Sequence, residues 1–256
     1  MRSCQRNNII AVCASTKGVG GTWFVSTLGQ TLSLKHRKVL LFDADDGAEN
    51  VAFVLNLKNT DAYEDMLKGA LTMNLATRVY PKGRFDVVSA NPGQGKLKLY
   101  PVGRAQILAL DLKNFAGCYD DVLIDCADGN SALQNIMIAT AARVVLIVTP
   151  SKSDLTGAYR QLEKIKRIAP KAEILVVVNR ALNSAEGERT FLSLSDAARK
   201  FMNIDIRLLG VVNQDGRIRD CAFNKTTLFE RYPNSESLQS VALMTDIIQK
   251  EEKNDL

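Results

Sequence analysis

The stretch I-I-A-V-C-A-S-T-K-G-V-G-G-T-W-F-V-S-T-L-G-Q, from Ile9 to Gln30, decides the fold. Residues 9–12 are a short, mostly β-branched apolar run, which predicts a buried strand. Residues 15–21 are a glycine-rich turn, and residues 22–34 carry Phe24, Val25, Leu28 and Leu32 at helical spacing. Strand, glycine loop and helix in that order build a phosphate cradle, because loop amides and the helix N-terminus converge on an anion.

The P-loop pattern is G-x-x-x-x-G-K-[ST]. Residues 15–22 align with it without a gap. Gly20 and Thr22 fit; Ser15 stands at the first glycine and Gly21 at the phosphate-binding lysine. The stretch keeps its turn and its magnesium-side hydroxyl, Thr22, and lacks its main charge. Lys17, Gly18, Val19, Gly20, Gly21, Thr22 and Trp23 are the candidate nucleotide contacts, with Thr22 also a candidate magnesium ligand.

The chain has 256 residues, 46% hydrophobic, enough for a large α/β core. A net charge of +5 is mild and does not single out nucleic acid. Five cysteines, odd in number and without a C-x-x-C pair, fit a reducing cytoplasm and argue against a disulfide scaffold or zinc site. The single histidine, His36, lies in the basic turn K-H-R-K and reads as a solvated turn residue. No apolar run is long enough to span a membrane, and the polar start is unlike a signal peptide.

Outward from the loop, residues 38–42 form an apolar strand ending in Asp43-Ala44-Asp45-Asp46-Gly47. Carboxylates at the C-terminal end of a buried parallel strand lie where α/β sheets bind ligands. One of them serves as cap to the helix near Glu49; the set beside a phosphate loop points to a magnesium or water-positioning role for at least one. Residues 59–69 read as a helix, 85–89 as a strand, 91–95 as a turn followed by Lys96 and Lys98, and 104–115 as a helix. The strand 119–125 ends in Asp125, then Cys126-Ala127-Asp128-Gly129, the form of a Walker B strand. There Asp125 holds magnesium through water and Gly129 lets the backbone approach the γ-phosphate. Helices at 131–142, 154–168, 186–201, 215–223 and 237–250 alternate with strands at 143–149, 173–179 and 206–212. Lys164, Lys166 and Arg167 read as a basic, solvated outer face of their helix. Every strand reads as buried on both faces, so the expected fold is α/β, a doubly wound and mostly parallel sheet. No linker interrupts it, and residues 1–256 read as one domain.

Taken together, residues 10–22, the run V-L-L-F-D-A-D-D-G-A-E-N at 39–50, and the pair formed by residues 200–210 and Y-P-N-S at 232–235 resemble the MinD/ParA family of deviant Walker A ATPases. The third feature is most similar to the FlhG (FleN, YlxH) branch. The resemblance covers the chain from about residue 8 to residue 243. It implies ATP or ADP with magnesium at the carboxyl edge of the sheet, a nucleotide-bound sandwich dimer, protein partners, and a cytoplasmic protein that places a polar structure such as the flagellum. By the same resemblance Asp45 orients the attacking water, Asp43 is the second switch carboxylate, Asp125 is the Walker B acid, Asn179 contacts adenine, and Asn213-Gln214-Asp215 line the base.

The departures bear on chemistry. The Walker lysine is Gly21 and the signature lysine, which in the family crosses the dimer, is Thr16. Lys17 stands one place late. Trp23 either crowds the nucleotide or packs into the core. Losing one charged hydrogen bond weakens binding roughly ten- to a hundredfold. Lysines on a transferring phosphoryl group act mostly on the transition state, where such clamps count for ~10³ or more in rate. The expectation is therefore binding without efficient hydrolysis. A nucleotide-independent scaffold (TadZ- or CpaE-like) and a DNA-partition ATPase are the alternatives. The last helix carries Leu238, Val241, Met244, Ile247 and Ile248 on one side before the acidic end 251–256, which reads as core packing rather than a membrane anchor. Residues 1–7 show no likeness to the partner-engaging N-terminal segment of FlhG proteins.

Overall fold

The computed structural model describes residues 7–95, 97, 100–127 and 129–254, with side chains to residue 250. Lys96, Lys98, Asp128, residues 1–6 and the side chains of the acidic end lie outside the described residues.

The elements follow as β1 (Ile9–Ala14), α1 (Gly21–Leu34), β2 (Val39–Asp43), α2 (Val51–Val54), α3 (Ala62–Lys68), α4 (Met73–Ala76), β3 (Arg78–Tyr80), β4 (Phe85–Val88), α5 (Val102–Ala116), β5 (Asp121–Asp125), α6 (Ala132–Ile138), β6 (Arg143–Val148), α7 (Lys152–Ile168), β7 (Glu173–Ala181) and α8 (Ser184–Ala197). A π-helical turn (Ala198–Met202) then leads to β8 (Arg207–Asn213), α9 (Gly216–Phe223), α10 (Leu228–Arg231) and α11 (Glu236–Asn254).

One eight-stranded sheet has the order β3-β4-β2-β5-β1-β6-β7-β8. All neighbours are parallel except β3 and β4, so the doubly wound, mostly parallel sheet is as expected. From β1 the chain winds first toward β2 and β4, returns at β5, and continues on the other side through β6 to β8. β1 therefore stands at the topological switch point, and the loop after it opens into the crevice where such sheets take ligands.

Alternation along β1 divides the core. Ile9, Ala11 and Cys13 join the cluster on one face of the sheet, and Ile10, Val12 and Ala14 join the cluster on the other. β1, β2, β5 and β6 are buried throughout. The expectation of burial on both faces fails at the edges. Val79 of β3 is 63% exposed, and of β8 only Leu209 and Val212 are buried. An edge strand lacks a neighbour on one side, and its cover thins there.

β3, α4 and α10 were not expected, and α2 is a single turn. Helix 131–142 stops at Ile138, where the Thr140 hydroxyl bonds the Met137 carbonyl at 2.6 Å. The long helix after β7 passes at Ala198 into the π turn and ends at Asn203, φ +51°. α11 turns inward as expected: Leu238, Val241, Met244 and Ile248 are buried. Lys35 at the end of α1 clamps it, donating to Ala242 O (3.1 Å), Thr245 Oγ1 (2.5 Å) and Asp246 Oδ1 (2.6 Å). Among the described residues no helix is long and apolar enough to cross a membrane.

Candidate functional site

The loop between β1 and α1 is tied at its base to both neighbouring strand ends. Ala14 N donates to Ala127 O (2.7 Å) and Ser15 N to Ile147 O (2.9 Å). Gly18 and Gly20 take φ of +78° and +101°. Gly20 is the N-cap of the 14-residue α1 and brings no capping side chain. The first amides of α1 are left for an external acceptor, the arrangement that binds anions. On the other side of the loop, Asn179 Nδ2 donates to Val19 O (2.7 Å) and Arg180 Nη2 to Gly18 O (2.5 Å). Asn179 is thus engaged with the loop. A Cβ at Gly20 would lie 2.5 Å from Asn179 Nδ2, so glycine is required there by space as well as by φ.

The carboxylates divide by burial. Asp43 is fully buried and saturated. Its Oδ1 accepts from Asp45 N (3.0 Å), its Oδ2 from Val51 N (3.1 Å) and Ser89 Oγ (2.8 Å), and Tyr63 Oη donates to its carbonyl (2.8 Å). Burial first, and then the charge of Asp125, push its pKa well above the usual carboxylate range. Asp46 is also buried and its Oδ2 accepts from Leu97 N (2.7 Å), pinning the loop after β4. Asp45, between them, is only partly buried and folds over Gly47. Geometry thus leaves Asp45 as the one of the three whose carboxylate faces partly toward solvent.

Asp125 is buried at the end of β5. Its Oδ1 accepts from Ala127 N (3.1 Å), while Oδ2 is buried with no hydrogen-bond partner. Burial pushes its pKa to about 6; the nearby Thr22 hydroxyl and the Ala127 amide pull it down, and Asp45 pushes it up. A buried carboxylate oxygen without a partner, beside Thr22, fits a magnesium ion bound directly or through water. Among the described residues no group of three or more His, Cys, Asp or Glu side chains is arranged to hold a metal on its own. Magnesium, which keeps its waters and phosphate ligands, does not need one.

The other expected contacts separate into two sets. A Cβ at Gly21 would meet only the Ala14 Cβ, at 3.5 Å, so position 21 has room for a side chain. Thr16 is held: its hydroxyl donates to Asp154 Oδ1, whose other oxygen accepts from Thr149 Oγ1. Gly157 of α7 packs directly beneath; a Cβ there would stand 2.6 Å from Ser15 O and 2.7 Å from Thr16 Cγ2. Lys17 is exposed, and Val19 is buried. Trp23 packs between the α1 core and the small cluster of Cys221, Leu228 and Leu238. Asp215 caps α9, accepting from Arg217 N (2.9 Å) and Ser237 Oγ (2.8 Å). It borders a polar cavity of about 510 Å³ that is also lined by Asn213, Gln214 and Tyr232. Asn213 Oδ1 is buried without a partner.

Lys164 corrects the outer-face assignment. It is half-buried and reaches from α7 to donate to the carbonyl of Gly129, φ +64°. Lys166 and Arg167 are exposed as expected.

A family model described as an AAA domain matches residues 7–183. The chain belongs to that family. Within it, this is a MinD/ParA-type P-loop ATPase chain. It is 25% identical over 237 residues to the antiactivator FleN of Pseudomonas aeruginosa, covering 93% of this chain and 84% of FleN. It is 23% identical to the flagellum site-determining protein YlxH of Helicobacter pylori, covering 91% and 78%. The septum site-determining protein MinD of Pyrococcus horikoshii, solved with Mg-ADP, superposes with a TM-score of 0.79 at 21% identity, covering 96% of this chain and 98% of that one.

This MinD/ParA-type chain also uses residues that the sequence reading passed over. Asp154, Gly157 and Arg180 all touch the loop. Gly157 carried a weak signal, since an isolated glycine inside a helical pattern costs about 1 kcal/mol relative to alanine. Asp154 and Arg180 carried none, because their partners lie 138 and 162 residues away.

Proposed function

We propose that this single-domain chain is a FlhG/MinD-like spatial regulator of flagellar, or other polar-organelle, number and placement. In this proposal it is a cytoplasmic protein that binds ATP or ADP with magnesium in its backbone cradle and hydrolyses it far more slowly than lysine-bearing relatives. The observation that carries the nucleotide half is the loop itself. Gly18 and Gly20 hold positive φ, α1 opens without a capping side chain, and Asp125 Oδ2 is buried and unpartnered beside Thr22. The name of YlxH, a flagellum site-determining protein, supports the spatial half.

In this reading Thr22 and Asp125 hold magnesium, which when bound neutralises charge on the phosphates. Gly18 to Gly21 supply amides to the phosphates, Gly129 approaches the terminal one, and Asp45 orients water. Asp43 acts at one remove: it fixes the Asp45 amide and the start of α2. The polar cavity beside Asn213 and Asp215 lies on the base side. Partners are proteins, including a second copy of the chain.

A second reading, a scaffold that works without nucleotide turnover, is favoured by one observation. Thr16 is bonded to Asp154 and packed on Gly157, so the signature-lysine position is sealed against α7. Calorimetric titration with Mg-ATP of the native chain and of Gly21→Lys separates the two. Micromolar binding by the native chain with turnover below about a thousandth of an intact relative agrees with the first. Binding by neither chain leaves the scaffold. Turnover matching that of lysine-bearing relatives refutes the slow-hydrolysis part.

A further inference from the structure

The loop has lost both family lysines, yet its carbonyls are gripped from outside. Consecutive residues at the end of β7, Asn179 and Arg180, donate to consecutive carbonyls of the loop, Val19 and Gly18. We propose that Arg180, seconded by Asn179, is a positioning residue that presets the loop amides for an anion.

The argument is one of peptide geometry. In a planar trans peptide a carbonyl and the following N–H point in opposite directions. Holding Gly18 O and Val19 O toward β7 therefore turns Val19 N–H and Gly20 N–H away from β7, into the cradle. The grip is itself fixed. Arg180 N donates to Asn179 Oδ1 (2.9 Å), which orients the Asn179 amide so that Nδ2 meets Val19 O. Arg180 itself takes φ +58° at the register shift between Asn179 and Ala181, a left-handed conformation that favours glycine. The guanidinium also leaves a fixed positive charge against a loop that no longer carries its own at positions 16 and 21.

The amide-presetting claim stands on geometry alone; only its consequence for affinity rests on the nucleotide reading above. Arg180→Gly tests it, because the turn survives and the guanidinium does not. Lys17 lies inside the loop and is exposed, so a lysine-specific endoprotease reports loop opening by cleavage after Lys17. The expected result for the full chain is roughly tenfold faster cleavage at Lys17 in Arg180→Gly, the scale of one charged hydrogen bond, with an unchanged or higher Tm. Mg-ADP calorimetry should show about tenfold weaker binding. Cleavage within twofold of native overturns the proposal, whatever the calorimetry gives. Equal Mg-ADP affinity in the two chains overturns the presetting step. Faster cleavage with no Mg-ADP binding by the native chain upholds the clasp and removes the nucleotide reading.

Discussion

Gly157→Ala tests whether the start of the loop is sealed onto α7. Gly157 lies inside α7, where alanine is ordinarily favoured over glycine by ~0.5–1 kcal/mol. Here the new methyl would stand 2.6 Å from Ser15 O and 2.7 Å from Thr16 Cγ2. The first is backbone, and Ser15 N is bonded to Ile147 O, so the loop cannot step aside without straining its base. Overpacking of this kind costs about 1–3 kcal/mol. The helix gain offsets part of that, leaving a net loss of about 0.5–2 kcal/mol, or a Tm lower by roughly 1–8 °C for a chain of this size. Gly103→Ala on α5 is the control, since nothing lies within 4 Å of its added methyl. It should leave Tm unchanged or raise it slightly. Thermal unfolding of both variants, followed by circular dichroism, decides. If Gly157→Ala is as stable as native or moves with Gly103→Ala, the close packing of α7 beneath the loop is wrong.

Asp125→Asn should stabilise the ligand-free chain in a pH-dependent way. The native carboxyl sits at about 6 when folded, against an ordinary 3.8, so the fold holds its proton more tightly and loses stability as pH rises from about 4 through 6. The variant should gain roughly 1–3 kcal/mol at pH 7.5 and nothing at pH 4; denaturant melts at the two pH values check it, and an equal gain at both would be inconsistent. Asn50→Ala removes the acceptor for Phe53 N (3.2 Å) and the donor to Ala90 O (3.0 Å). It should cost about 1–3 kcal/mol by chemical denaturation. Trp23 lies in an apolar contact between two clusters, so its emission should shift to the red on unfolding; a solvent-like spectrum in the native state would contradict that placement.

The centre of the sheet was legible because β1, β2, β5 and β6 are buried on both faces and write themselves as unbroken apolar runs. The glycine loop was legible because only glycine fits φ of +101° against the Asn179 amide. β3 was not, since three residues of an edge strand are too few to show a period of two. Lys164 was misread for a related reason: helical spacing places it near Lys166 and Arg167, but its long stem reaches inward to Gly129. Thr16 could be seen as a missing lysine and not as a bonded one. Its partner Asp154 is far along the chain, and only the crossing from β6 into α7 brings it near.

The antiparallel strand β3 also bears on how the molecule avoids its own kind. A sheet of eight strands whose outer member were long and flat would offer an open ladder to any passing chain. Here the growing edge is closed by three residues, Arg78 to Tyr80, that run against the grain of the other seven. Arg78 bends back to donate to Lys58 O, and Tyr80 tucks its ring against Phe85. Little main chain is left at that end to recruit a foreign strand, so the edge is a terminus rather than a template.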